Sequence, residues 1–201
     1  MEPVKEVPTN WYLFTNGNST LQSINLPQAT KIGYNAFNKC TGLTSIDLSQ
    51  VTKIGNGTFV NCTSLTNIDL SQATDIGENA FWNCTALTSI DLPQVTDIRE
   101  DAFFGCTGLK SIVLSGTGTE NSFALPTCDT TYGLGSQNFS PENLFLTGVT
   151  ELTDEQITQC RNWGNKTWAN IYYNYKGSPS LAEATIEELT CLLYTSPSPR
   201  D

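Results

Sequence analysis

From Leu21 onward the apolar residues recur every 22 positions. Leu21, Leu43, Leu65, Leu87 and Leu109 form one series; Ile24, Ile46, Ile68, Ile90 and Ile112 a second; Leu26, Leu48, Leu70, Leu92 and Leu114 a third. Behind them run Ile32, Ile54, Ile76 and Ile98, then Phe37, Phe59, Phe81 and Phe103, then Cys40, Cys62, Cys84 and Cys106. The segment Leu-x-x-Ile-x-Leu is too short for a helix, and its spacing predicts a short strand with inward anchors. A strand that short has no stability alone. If each 22-residue coil follows the same path, its strand stacks in parallel on the previous one at ~4.8 Å, and identical side chains fall into columns. Each buried Leu, Ile or Phe then contributes ~1.5–3 kcal/mol against the entropy of ordering the coil. The pattern therefore predicts a solenoid of parallel strands whose stability is a nearest-neighbour property.

The second half of each coil, as in "QATDIGENAF", carries Gly33, Gly55 and Gly77, read here as turn residues at positive φ. Arg99 takes that place in the fourth coil, which predicts either a changed turn or a glycine that is not strictly required.

The coil "LTSIDLPQVTDIREDAFFGCTGL" and its neighbours resemble the BspA-like leucine-rich repeats, whose unit reads roughly Leu-x-x-Ile-x-Leu-Pro, then Ile-Gly-x-x-Ala-Phe, then Cys. The resemblance covers Leu21 to Leu114. Proline follows the strand only at Pro27 and Pro93, with Ser49 and Ser71 in the other coils. It implies a leucine-rich repeat solenoid, parallel strands in 22-residue coils with capping segments at both ends. It also implies a secreted or cell-surface protein that mediates adhesion or recognition of a host or other partner.

An array of this kind exposes its core unless its ends are covered. Residues 1–20, with Trp11, Leu13 and Phe14, are read as the N-terminal cap, and residues 21–114 as the repeats. Residues 115–178 are read as a degenerate coil followed by the C-terminal cap. Within that cap Thr153 and Gln156 form a capping box for a helix running to about Trp163 and ended by Gly164. "KTWANIYYNY" then reads as an aromatic strand. Trp163, Trp168, Tyr172, Tyr173 and Tyr175 are taken as the core of the cap, with a ligand platform as the alternative. Residues 179–190 read as a helix with Ser180 and Glu183 as its capping box. "CLLYTSPSPRD", 191–201, fits neither repeat nor cap and reads as a non-native tail, in which case the natural protein continues past or is cut near Thr190.

The chain of 201 residues has 20 acidic against 10 basic side chains and a formal charge of −10. That balance argues against nucleic acid as a partner, since no basic patch exists to displace counterions from phosphates. No apolar run reaches the ~18 residues of a membrane span, and "MEPVKEVPTN" lacks the apolar centre of a signal peptide. Most of the seven cysteines follow the repeat and not a ligand spacing, histidine is absent, and no metal or cofactor is expected. Adjacent ladder cysteines stand about one coil apart, within the span of a disulfide. Their place after the core Phe favours a small buried side chain at a turn, with bridges left open. Cys128 lies one further period beyond Cys106.

Between the anchors, the strand residues face outward. This face reads Gln22, Ser23, Asn25; Thr44, Ser45, Asp47; Thr66, Asn67, Asp69; Thr88, Ser89, Asp91; Lys110, Ser111, Val113. The central nine, Thr44 to Asp91, are the candidate binding residues, with three aspartates in one column that suit a partner's Lys or Arg or a cation. A protein or glycoprotein partner, on a host matrix or cell surface, follows from the family resemblance. No catalytic constellation is visible: there is no histidine base, no nucleophile elbow and no phosphate-binding glycine loop. The alternative to recognition is a structural spacer that displays another domain.

Overall fold

The computed structural model describes residues 6–7, 17–115, 124–128, 134, 142–149, 151–175 and 192–195. Stacked parallel strands run along two faces of the array. One consists of two-residue strands, β1 (Glu6–Val7), β3 (Lys31–Ile32), β5 (Lys53–Ile54), β7 (Asp75–Ile76), β9 (Asp97–Ile98) and β11 (Thr127–Cys128), hydrogen-bonded in that order. The other face carries the Leu-x-x-Ile-x-Leu strands. There β2 (Ser23–Asn25), β4 (Ser45–Asp47) and β6 (Asn67–Asp69) form a three-stranded sheet. A second sheet of five starts at β8 (Ser89–Leu92) and continues through β10 (Ser111–Ser115), β12 (Asn143–Thr147), β13 (Asn170–Tyr175) and β14 (Leu192–Thr195).

The register keeps the period. Ile24 pairs with Ile46 and Ile46 with Ile68, and Ile90 pairs with Ile112. Between the two faces the anchors form one continuous core, and Phe37, Phe59, Phe81 and Phe103 have no exposed surface. Their rings stack along the axis with centroids 5.5, 5.3 and 5.3 Å apart. Threonine adds a second tie between coils. The hydroxyls of Thr52, Thr74 and Thr96 each donate to the carbonyl of the threonine one coil earlier.

The glycines act differently from the sequence expectation. Gly33, Gly55 and Gly77 do not adopt positive φ. They are small because successive coils touch there: a Cβ on Gly55 would lie 2.8 Å from the Gly33 carbonyl carbon, and one on Gly77 2.7 Å from the Asn56 nitrogen. Positive φ is taken instead by Asn35, Gly57, Asn79 and Asp101, and by Lys39, Asn61, Asn83 and Gly105. Asn, Asp and Gly are the residues that enter this region at least strain. At Arg99 the turn is unchanged, since its N–H donates to the Ile76 carbonyl at 3.0 Å as Gly77 donates to Ile54.

Past Leu114 the period lengthens. The step from Lys110 to its partner Glu142 is 32 residues and that from Asn143 to Asn170 is 27. Cys128 consequently leaves the cysteine ladder: it stands opposite Ile98 and extends the isoleucine column of the short-strand sheet. Helix α1 (Asp154–Arg161) begins with the expected capping box, Thr153 to the Gln156 N–H and Gln156 back to Thr153. A 3₁₀ turn follows at Trp163–Asn165, where Gly164 has φ +67° and lies against Leu134. Trp168 is fully buried and Trp163 nearly so, their indoles donating to the carbonyls of Trp163 and Pro126 respectively. Tyr172 stacks on Phe145 at 4.6 Å and Tyr173 packs against the core. Trp163, Trp168 and Tyr173 belong to the core of the cap, whereas Tyr172 stacks with Phe145 outside that core. Within the segment 191–201, read as a non-native tail, β14 pairs antiparallel with β13. The helix expected at 179–190, the N-terminal apolar residues Trp11, Leu13 and Phe14, and the side chain of Tyr175 lie outside the described residues.

Candidate functional site

The strand face is concave. A hollow of about 850 Å³ runs across β2, β4, β6 and β8, with Asp47, Asp69 and Asp91 among its lining. Strand geometry puts these aspartates there: the inward Ile at 46, 68 and 90 forces positions on either side of it to the outer surface. Thr44, Asp47, Thr66, Asn67, Asp69, Thr88 and Asp91 are exposed, and Ser45 and Ser89 are half-buried. Seven of the nine expected residues line the hollow; Thr44 and Thr88 are exposed but not part of its lining.

Their chemistry is less uniform than their spacing. The hydroxyl of Thr44 donates to the Gln22 carbonyl and that of Thr66 to the Thr44 carbonyl, so part of the threonine row is already used by the backbone. Asp47 accepts the Ser49 N–H at 2.9 Å and Asp69 accepts the Ser71 N–H at the same distance. In the fourth coil the equivalent position is Pro93, which has no N–H to give. Asp91 has no hydrogen-bond or ion-pair partner among the described residues.

Electrostatics follow the same division. The Ser49 backbone N–H, then its hydroxyl, holds the Asp47 carboxyl below the usual value. Asp91 is pushed up to about 6, first by desolvation and then by the charge of Asp69. Solvent touches the Asp91 side chain, but in a concave surface protein atoms surround it on most sides, which accounts for desolvation of an exposed group. Backbone pairing also stops here. Thr66 donates to Thr44 and Lys110 to Thr88, whereas β6 and β8 form no ladder and no Thr88 to Thr66 bond continues the series.

The expected outward row ends one coil earlier than the sequence suggested. Ser111 and Val113 are buried, with 9% and 2% of their surface exposed. Val113 stands opposite Phe145, whose ring stacks on Tyr172, so an apolar wall replaces the polar row from β10 onward. Lys110 stays exposed and pairs with Glu142 at 2.5 Å. Sequence reasoning missed both the Phe145–Tyr172 wall and the special status of Asp91. The second was signalled by Pro93.

The cysteine ladder has a structural task. Cys62, Cys84 and Cys106 donate from Sγ to the carbonyls of Phe37, Phe59 and Phe81, at 3.1, 3.2 and 3.0 Å. The described cysteines are free thiols. Burial raises the thiols of Cys62 and Cys84 far above their ordinary value and pushes Cys160 up to about 12. Thiolate, the reactive form, is therefore suppressed. Native protein treated with iodoacetamide at pH 8 should leave Cys62, Cys84 and Cys106 unmodified, at least about a hundredfold slower than in urea because reaction requires opening. Peptide mass spectrometry reads this directly, and rapid native labelling of Cys84 would contradict the ladder.

Among the described residues no group of three or more Cys, Asp and Glu is arranged to hold a metal ion, and no helix is long and apolar enough to cross a membrane.

A family model described as BspA type leucine rich repeat region matches residues 9–125 in six copies. No curated protein sequence matches the chain. Among solved structures, a leucine-rich repeat protein of T. pallidum is 28% identical over 81% of this chain and 78% of its own, with a TM-score of 0.56. A leucine-rich cell surface protein from Faecalibacterium prausnitzii is 26% identical over 68% of this chain, with a TM-score of 0.52; the match spans 34% of that protein.

Proposed function

Because the chain belongs to the BspA-type leucine-rich repeat family, we propose that it is a non-enzymatic recognition module that holds a protein or glycoprotein partner on its concave strand face. The observation that carries this reading is the hollow across four coils, where a column of three carboxylates and a row of hydroxyl and amide side chains stand around the Ile24, Ile46 and Ile68 anchors. A face kept polar merely for solubility has no need of concavity or of like charges in one column. At ~5 Å two carboxylates repel by ~0.8 kcal/mol in water and by more where water is displaced. A partner's lysines or arginines relieve that repulsion on docking. Complementarity of this kind sets specificity and encounter rate more than raw affinity.

A place at the cell surface and a role in adhesion are part of the proposal. They are supported by the likeness to a cell surface protein of F. prausnitzii and by an acidic, hydroxyl-rich face suited to extracellular protein or glycoprotein ligands.

The test is binding of the full chain to a panel of matrix glycoproteins, mucins and epithelial cells, with and without calcium, beside the double variant Thr66→Arg, Asp69→Lys. Both positions are exposed, so the variant should keep its circular dichroism. Saturable binding by the native chain, weakened at least about tenfold in the variant, is expected. Binding that the variant retains in full would move recognition off the strand face. No binding by the folded native chain would favour a spacer role.

A further inference from the structure

The three aspartates of the column are chemically unequal. In the second and third coils the residue two positions on is serine, and its N–H clamps the carboxylate. In the fourth coil Pro93 removes that donor, and no other group among the described residues replaces it. The groups around Asp91 do not compensate. On β6 its neighbour is Asp69, and beyond it on β4 stands Asp47. On β10 the register partner is Val113, apolar and buried. The cation at the head of β10, Lys110, is engaged by Glu142. On β8 itself the other outward residue is Ser89. The carboxylate is thus bordered by one like charge and one methyl-bearing side chain, at the step where the strand-face sheet is split.

We propose that Asp91 is a proton-exchanging recognition residue, at which a proton and a partner's lysine or arginine compete, so that cationic ligands dock on this face more weakly as the medium acidifies. The coupling to a ligand rests on the strand-face reading above; the proton exchange does not. An unclamped carboxylate beside another carboxylate has two ways to lower its free energy, by taking up a proton or by acquiring a cation. With the Asp91 carboxyl at about 6, both operate in the range where Asp47, held low by Ser49, stays ionised. The charge at Asp91 therefore changes while that at Asp47 does not.

The sign for stability follows. Native Asp91 keeps its proton from about 6 down to the ordinary value of 3.8, where the unfolded chain has lost it. Acidification through that window adds stability from this group. Asp47 acts oppositely: its native carboxyl lies below 3.8, so its contribution is present above that value and lost beneath it.

The experiment is a carboxyl-carbon NMR titration of the full chain, native and Pro93→Ser, followed by addition of hexalysine as probe. Asp91 is expected to titrate near 6 and Asp47 below the ordinary range. Pro93→Ser, which restores the donor found in the other coils, should lower the Asp91 midpoint by about one unit or more. Hexalysine should lower it in the native chain and bind at least about threefold more weakly at pH 5 than at pH 7.5, a difference lost in Asp91→Asn. An ordinary Asp91 midpoint, or one unmoved by Pro93→Ser, overturns the inference. So does hexalysine binding that leaves the midpoint in place. A raised midpoint with no hexalysine contact at the face at any pH counts instead against the strand-face reading, and ends the ligand coupling with it.

Discussion

Phe81→Ala should lower the stability of the chain by about 3–5 kcal/mol, the range for deleting a buried aromatic ring. Phe81 has no exposed surface and lies between Phe59 and Phe103, each 5.3 Å away and nearly parallel. Its loss opens a cavity and breaks two stacking contacts, each worth ~0.5–1.5 kcal/mol beyond burial. Because every coil leans only on its neighbours, the damage divides the column into two short pieces. Urea unfolding followed by circular dichroism measures the loss. Phe81→Leu should recover much of it, and a double-mutant cycle with Phe59→Leu should show a coupling of ~0.5–1.5 kcal/mol. A loss below about 1 kcal/mol for Phe81→Ala would mean that the stack does not hold the coils together.

Gly77→Ala should be nearly as informative, with a loss of about 1–3 kcal/mol, the usual penalty for forcing atoms into a packed interior. The new Cβ would stand 2.7 Å from the Asn56 nitrogen and from the Gly55 carbonyl carbon. Both are backbone atoms of the preceding coil, fixed by the hydrogen bond from the Gly77 N–H to Ile54 at 3.0 Å. Neither can swing aside as a side chain would. The control is Arg99→Gly, which removes an exposed pair with Asp97 at 3.5 Å and should change stability by no more than about 0.5 kcal/mol. Thermal unfolding of the two variants side by side separates close approach from turn chemistry. A neutral Gly77→Ala would return the glycine to the role of an ordinary turn residue.

That contrast also marks what was legible in the sequence. Periodicity fixed the strands and the core because a column of identical side chains has one arrangement that buries them all. Leu43, Phe59 and Cys84 could be placed from spacing alone. The glycine series was located correctly but explained wrongly, since a missing side chain serves positive φ and close approach alike, and letters cannot tell the two apart. The positive-φ sites at Asn35, Asn79 and Asp101 were hidden for a related reason: asparagine and aspartate serve many purposes on a surface. Cys128 kept the numerical period while the chain between it and Ile98 had lengthened, so counting placed it in the wrong column. At the strand face, alternation about Ile46, Ile68 and Ile90 gave the outward direction of Ser45, Asp47, Asn67, Asp69, Ser89 and Asp91. It did not give the curvature of the sheet, the wall at Phe145 and Tyr172, or the difference between Asp91 and its two companions. These arise from coils beyond the regular repeat or from the backbone donor at position 93, neither of which alternation encodes.

The thiol-to-carbonyl bonds each span 25 residues, and the threonine ties span 22. Nearly every contact between coils in the regular array is of this length. Adding coils therefore lengthens the molecule without lengthening the loops that must close, and relative contact order falls as the array grows. Such a chain folds as a zipper, closing one loop of constant size after another. The widest closures lie in the cap, where the Trp163 indole reaches back 37 residues to Pro126. Loop entropy makes that closure slightly costlier than one within the array, by about 0.3 kcal/mol for 37 residues against 25.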